Sequence, residues 1–328
     1  MKFRFEIDPK EYNGPFNLDL TINSGQTSQP AWITKNGYFQ ELISVDDQLC
    51  LIKIKQENLD ESIKIEAEFK EELDLESIKS KLMEIFGLND DLNEFYKFLR
   101  KDNEMEPTIN FCNGLRLFKA HDPFECIISS ISSANCSIIR WNRAIKDIKR
   151  KWGEKIEFDS EIWHTFPSPQ ILKTVPEHDL EEMQRCEDQL PENFTFEKNL
   201  KSCGVGYRAK FILKATEMVQ NHAKIEEIGS MDYNRAFEKL IELPGVGPKV
   251  ADCILFYGFG FKNAFPVDVW IGRIVSEMYF KGEEINPVKA RSFGMKKYGN
   301  HAGYVQLYMF HYARKSGLIE SIRKKQKN

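Results

Sequence analysis

A mainly helical chain behind an N-terminal antiparallel β domain, an α+β arrangement, is the fold this sequence predicts, and three observations carry the prediction. From Met1 to about Phe69, short runs such as KFRFEI, FNLDLTI, YFQELISV, LCLIKIK and IKIEAEF alternate apolar and polar residues between turn signals, the pattern of half-buried strands. From Leu75 onward the apolar residues recur at helical spacing instead. Near the end of the chain, LPGVGPKVADC sets a Pro/Gly break between two helical patterns, which reads as a helix, a glycine hairpin and a second helix spanning about 233–258.

With 328 residues the chain is long enough for one large or two ordinary domains, each with its own core. Its 41% apolar and 29% charged residues are those of a soluble globular protein, and no apolar run approaches membrane-spanning length. The opening MKFRFEIDPKEY lacks the apolar stretch of a secretory signal, so the sequence reads as intracellular. Seven cysteines, at positions 50, 112, 126, 136, 186, 203 and 253, form no CxxC pair and show no metal-ligand spacing, so free thiols are expected. No four-cysteine iron-sulfur cluster can be assembled after Cys253. A net charge of −4 counts against a simple nucleic-acid binder. The run Arg140 to Lys155, however, sets seven basic residues against Asp147 and Glu154, which would give a local positive surface or a solvated helix face.

Taken in order, the strand region contains the loop NSGQTSQPAW, in which Gly25 suits a turn of unusual φ. Ile78, Leu82, Ile85 and Phe86 mark one helix face, and Phe95, Phe98 and Leu99 a second segment. A polar stretch before Pro107 then places a boundary between an N-terminal domain, 1–104, and a helical domain, 105–328. Asp122 and Pro123 open a helix that Ser132, Ser133, Ala134 and Asn135 interrupt. Asn135 and Arg140 flank that interruption, one able to reach base edges and the other a cationic fork; an Asn cap and a surface Arg are the plainer alternative. An acidic excursion runs from Val175 to Asn199. GVGYRAKFILKATEMV follows, a glycine turn and a helix with Phe211, Ile212, Ala215, Met218 and Val219 on its buried side. Tyr207 and Arg208 at its start could stack in a base gap and hold an orphaned base, although such a Tyr often simply packs. In the tail, Gln306 and Phe310 lie four apart on one helix face, as either an amide and an aromatic plate for a flat heterocycle or a buried helix with one satisfied Gln.

The hairpin carries the chemistry. Asp232 caps a helix whose buried face is Ala236, Phe237, Leu240 and Ile241; Pro244 and Gly245 stop it, Gly247 allows the tight bend, and Pro248 opens the next helix. Backbone N–H groups around Gly245, Gly247 and Val250 then face outward beside a helix N-terminus and suit a phosphate. Lys249 sits on the first turn, where the helix dipole and burial should disfavour its ammonium and free the amine for attack on carbon. Asp268, after Pro266 and Val267, is expected to cap a helix from Val269 towards Tyr279. Each feature also has a plain reading as packing device, solvated lysine or simple cap.

The segments NLDLTINSGQ, DPFECIISSISSANCSIIR, FPSP, GVGYRAKF, LPGVGPKVADC, PVDV and HAGYVQLYMF, in this order, resemble the 8-oxoguanine DNA glycosylase/lyase family of the helix-hairpin-helix superfamily, from about Asn17 to Ser316. The resemblance implies Lys249 as nucleophile and Asp268 as its helper. It implies further that the Gly25 carbonyl accepts the N7 hydrogen of the lesion, Gln306 bonds its pairing edge, and Phe310 and Cys253 sandwich the ring. Asn135, Arg140 and Arg208 would hold the cytosine left behind, with Tyr207 wedged beside it. The chain departs from animal members at Trp270, where they carry a histidine, at Ala313, where they carry an aspartate, and at Ser28 and Gln29 in the Gly25 loop. The expected activity is excision of 8-oxoguanine opposite cytosine from duplex DNA through a lysine Schiff base, followed by β-elimination, by a monomer with no metal or organic cofactor. Action on another damaged purine, or passive DNA binding by the hairpin, are the alternatives.

Overall fold

The computed structural model describes residues 1–176, 199–219 and 222–325. Most of the acidic excursion, 177–198, lies outside them, as does the 326–328 tail. The strands β1 (Lys2–Ile7), β2 (Ile33–Lys35), β3 (Tyr38–Val45), β4 (Gln48–Lys55) and β5 (Ile63–Phe69) form one antiparallel sheet in the order β1-β5-β4-β3-β2. Strict alternation in β5 buries Ile63, Ile65, Ala67 and Phe69 on one face, which fixes its register against Ile7 and Ile54. FNLDLTI is not a strand. Leu18–Asn23 is a helix, α1, because the Asn17 side chain accepts the Leu20 N–H at 2.9 Å and so caps it, and Leu18 and Ile22 share its buried face. Helix α2 (Leu75–Ile85) lays Ile78, Leu82 and Ile85 on the sheet, completing a core with Trp32, Phe86 and Phe118.

Helices α3 (Leu92–Leu99), α4 (Glu106–Phe111), α5 (Pro123–Ser133), α6 (Ile138–Trp152) and α7 (Pro169–Leu172) lead into the second core. Asp122 caps α5, which is buried from Phe124 to Ser133 and forms the axis around which the other helices pack. After α6 comes a hairpin that periodicity does not announce, β6 (Lys155–Phe158) and β7 (Glu161–His164). Each strand has only four residues. The turn residues Asp159 and Ser160 both take positive φ, as a two-residue hairpin requires. Ile156, Phe158 and Trp163 pack on Leu42 and Leu51 and so fasten the helical part to the sheet.

The remaining helices are α8 (Ala209–Val219), α9 (His222–Ser230), α10 (Tyr233–Ile241), α11 (Pro248–Cys253), α12 (Val269–Tyr279), α13 (Pro287–Tyr298), α14 (Ala302–Lys315) and α15 (Leu318–Lys325). A π turn over Ile254–Gly258 continues α11. Two amphipathic expectations need correction at single positions: Met218 on α8 and Ile241 on α10 are exposed, each lying at the edge of its apolar stripe.

Two buried ionic groups join the cores. Arg116 is fully buried and donates to five backbone carbonyls, those of Pro15, Gly87, Asp90, Asn13 and Gly14, at 2.7–3.2 Å. Lys149, expected within a positive surface, is instead turned inward from α6. It bonds Glu41 of β3 at 3.1 Å and lies 3.6 Å from Glu125 of α5.

Candidate active site

The hairpin is built by local sequence. Asp232 accepts the N–H groups of Asn234 and Arg235 to start α10, and Ala236 and Leu240 bury its inner face. The Val246 N–H then closes a turn on the Leu243 carbonyl at 3.0 Å. Gly245, not Gly247, is the residue that makes the bend: its φ is +83°, and a Cβ there would stand 2.8 Å from Phe211 Cβ. Gly247 has φ −93° and is an extended cap residue whose absent Cβ faces open space. The Gly245, Gly247 and Val250 N–H groups make no hydrogen bond to the described residues, leaving donors beside the start of α11. One turn further on, buried Asp252 accepts from Arg291 of α13 at 2.6 Å and from Tyr233 of α10, so three helices are locked behind the hairpin.

Lys249 is the second residue of α11, and its charge state differs from the expectation. Burial does press its ammonium toward the neutral form, but the Cys253 sulfur beside it and the charge of Asp268 outweigh burial, and its pKa is raised above the ordinary lysine value. The Cys253 thiol, buried, is itself pushed up. Asp268 caps α12, accepting the Ile271 N–H at 2.7 Å. The two side chains sense one another's charge without a direct ion pair, leaving a gap between nucleophile and carboxylate.

Against Cys253, one turn on from Lys249, the loop after α1 is pinned from inside. Gln26 donates to the Arg116 carbonyl at 3.0 Å and accepts the Phe118 N–H at 2.9 Å; Ser28 donates to the Phe118 carbonyl at 2.8 Å, and Gln29 to that of Lys119 at 3.2 Å. The two departures in this loop, Ser28 and Gln29, thus serve as backbone clasps. Gly25 takes φ +84° at the loop's start, and Thr27 lies against the Cys253 sulfur. On α14, buried Gln306 accepts from Tyr257 at 3.5 Å, while Phe310 is half-buried. Arg314 links these parts: its guanidinium carbon lies 5.3 Å from the Phe310 ring centre, and Nη1 donates to the Ser24 carbonyl at 3.2 Å.

A second cluster forms between α5 and α8. Asn135 is exposed at φ +50°, and Arg140, on the first turn of α6, donates through Nε to the Gly204 carbonyl at 3.0 Å. Arg208 is buried and already engaged, donating to the carbonyls of Ala134, Val205 and, at 2.9 Å, Asn135. It therefore braces the Asn135 turn rather than projecting freely. Tyr207 is 54% exposed, with the Arg208 guanidinium 4.6 Å from its ring centre. Beside Asp268, Trp270 lies 4.9 Å from the guanidinium of Arg273 and 4.5 Å from that of Arg323, and Ala313 is buried.

Thr27, Tyr257 and Arg314 are the site neighbours that sequence reasoning misses. Tyr257 stands four residues after Cys253 and Arg314 four after Phe310, a helical spacing that could have flagged both.

A lysine at a glycine hairpin, an aspartate capping the next helix and open amides beside them define the class of helix-hairpin-helix DNA repair proteins. The family model described as HhH-GPD superfamily base excision DNA repair protein matches residues 128–299, and that of the 8-oxoguanine DNA glycosylase N-terminal domain matches 7–127. The chain belongs to the 8-oxoguanine DNA glycosylase family of that superfamily. It is 46% identical to a probable N-glycosylase/DNA lyase of Methanothermobacter thermautotrophicus, over 94% of this chain and 97% of that one. It is 25% identical to the N-glycosylase/DNA lyase of Saccharomyces cerevisiae, over 72% and 66%. The Clostridium acetobutylicum 8-oxoguanine glycosylase/lyase, solved with duplex DNA carrying cytosine opposite 8-oxoguanine, superposes with a TM-score of 0.74 at 26% identity, covering 96% of this chain and 98% of that one.

Proposed function

We infer that this protein is a base-excision repair enzyme that flips 8-oxoguanine out of duplex DNA, releases the base and nicks the strand. The observation that carries the reading is the placement of Lys249 at the hairpin, beside open amides and within electrostatic reach of Asp268. The amides of Gly245, Gly247 and Val250 hold a backbone phosphate. The C1′–N9 bond breaks as the Lys249 nitrogen bonds C1′. A sugar turning cationic repels the ammonium, so the lysine proton passes to the departing base, directly or through Asp268, whose carboxylate stabilises the sugar. The sugar ring then opens to the Schiff base, and loss of a 2′ hydrogen expels the 3′ phosphate.

The Gly25 carbonyl accepts the N7 hydrogen that guanine lacks, Gln306 takes the pairing edge, and Phe310 and Cys253 flank the ring. Asn135 and Arg140 meet the orphaned cytosine, Arg208 braces them, and Tyr207 wedges into the gap. Residues 1–104 form the N-terminal domain and 105–328 the catalytic one, in a monomer that works inside the cell. No helix among the described residues is long and apolar enough to cross a membrane.

Borohydride trapping on a duplex with one 8-oxoguanine opposite cytosine tests this reading. The expected result is a covalent protein–DNA adduct that disappears in Lys249→Gln. Tight binding with neither adduct nor nick would leave a passive hairpin module instead.

A further inference from the structure

The site contains a guanidinium that none of these roles uses. Arg314 is half-buried on α14, one turn beyond Phe310, and its Nη1 comes within 3.0 Å of the place a Cβ on Gly25 would occupy. A planar fork with five donors makes one hydrogen bond here, to the Ser24 carbonyl, and no ion pair with a described residue. The two buried arginines are engaged on several sides: Arg116 donates to five carbonyls and Arg208 to three, while half-buried Arg291 has the Asp252 carboxylate. Burial without a counter-charge is costly for a cation, and it lowers the Arg314 pKa. A side chain serving only to tie α14 to the Gly25 loop would not need a charge. Free donors aimed beside the Gly25 backbone and over the Phe310 plate are what a ligand rich in acceptors would use.

The oxidised purine has that chemistry. Its N7 hydrogen is flanked by two carbonyl oxygens, O6 and O8, so the edge reads acceptor, donor, acceptor. We propose that Arg314 is a specificity-determining residue that donates to one of these oxygens, so that Gly25 and Arg314 read adjacent positions of the flipped base. The inference rests on the reading of this pocket as the 8-oxoguanine site.

Single-turnover base release is measured for the wild type, Arg314→Leu and Arg314→Gln, on duplexes carrying 8-oxoguanine or 8-oxoadenine opposite cytosine. 8-Oxoadenine keeps the N7 hydrogen and O8 but has an amino group in place of O6. Loss of a charged donor is expected to slow 8-oxoguanine release roughly 10- to 100-fold in Arg314→Leu, with partial recovery in Arg314→Gln, which keeps a neutral donor. If the preference for 8-oxoguanine over 8-oxoadenine narrows by the same factor, the oxygen read is O6; if both substrates slow equally, it is O8. An unchanged or faster 8-oxoguanine rate in both variants overturns the proposal, since the guanidinium would then only fill the empty pocket. Trapping on an abasic duplex, which presents no base, reports folding separately. A wild type that leaves 8-oxoguanine untouched would instead overturn the assignment of the pocket itself.

Discussion

Gly25 shows how much can depend on one backbone position. At φ +84° an alanine would bring its Cβ to 2.9 Å from Ile138 Cδ1 and 3.0 Å from Arg314 Nη1. Both are ends of flexible side chains that can yield, so the larger cost is conformational, about 1 kcal/mol for a non-glycine residue in the left-handed region. Gly25→Ala is therefore expected to lower unfolding stability by about that amount in a denaturant titration. Its effect on base release should be much larger than on cleavage of an abasic duplex, because only the former needs the carbonyl in place. Parallel losses in both assays would mark Gly25 as a turn residue and nothing more. Lys249 teaches the complementary lesson: its place on a helix N-terminus was legible, but its pKa is raised, against burial, by Cys253 first and then by Asp268, nineteen positions on.

At the scale of the element, the loop from Ser24 to Gln29 is positioned by side chains that imitate a strand, pairing with the backbone of residues 116–119. Gln26→Ala would strand the buried Phe118 N–H and Arg116 carbonyl, a loss of about 1–3 kcal/mol. The expected signature is a lower denaturation midpoint together with faster hydrogen exchange at the Phe118 amide. Unchanged exchange there would show that the loop is held by its apolar neighbours instead. The hairpin behaves differently as an element, since Asp232, Gly245 and Pro248 specify it from one continuous stretch of chain, a single helix and its turn.

For the whole molecule, the ionic triad of Glu41, Lys149 and Glu125 couples folding to pH. One cation faces two carboxylates, and it is the deeper Glu125 that keeps its proton; burial first, and the nearby charges of Glu41 and Asp122, carry its pKa from 4.5 to about 7 against the pull of Lys149. His121, also facing this cluster, is held neutral by burial. Between 4.5 and about 7 the folded chain therefore binds a proton that the unfolded chain has released. Stability from this group falls as pH rises through that window, by roughly 3 kcal/mol in all. Glu125→Gln should flatten the melting temperature between about pH 4.5 and 7. A slope identical to that of the wild type would show that Glu125 does not titrate there.

The sequence by itself determined what depends on neighbours in the chain. The caps at Asp122, Asp232 and Asp268 follow from residues within a turn of one another, and four of the strands and the order of helices around the hairpin from patterns running along short continuous stretches. Where two periods competed over so short a run, as in Leu18–Asn23, the alternation misled and the Asn17 cap decided. Tertiary structure alone decided that Lys149 turns inward, that β6 and β7 clasp the sheet, and that Arg208 braces a turn. It also decided which donors remain free around Gly25. These outcomes depend on burial and on charges brought together from distant parts of the chain, where electrostatic energies follow from distance and solvent exclusion rather than from spacing along the backbone.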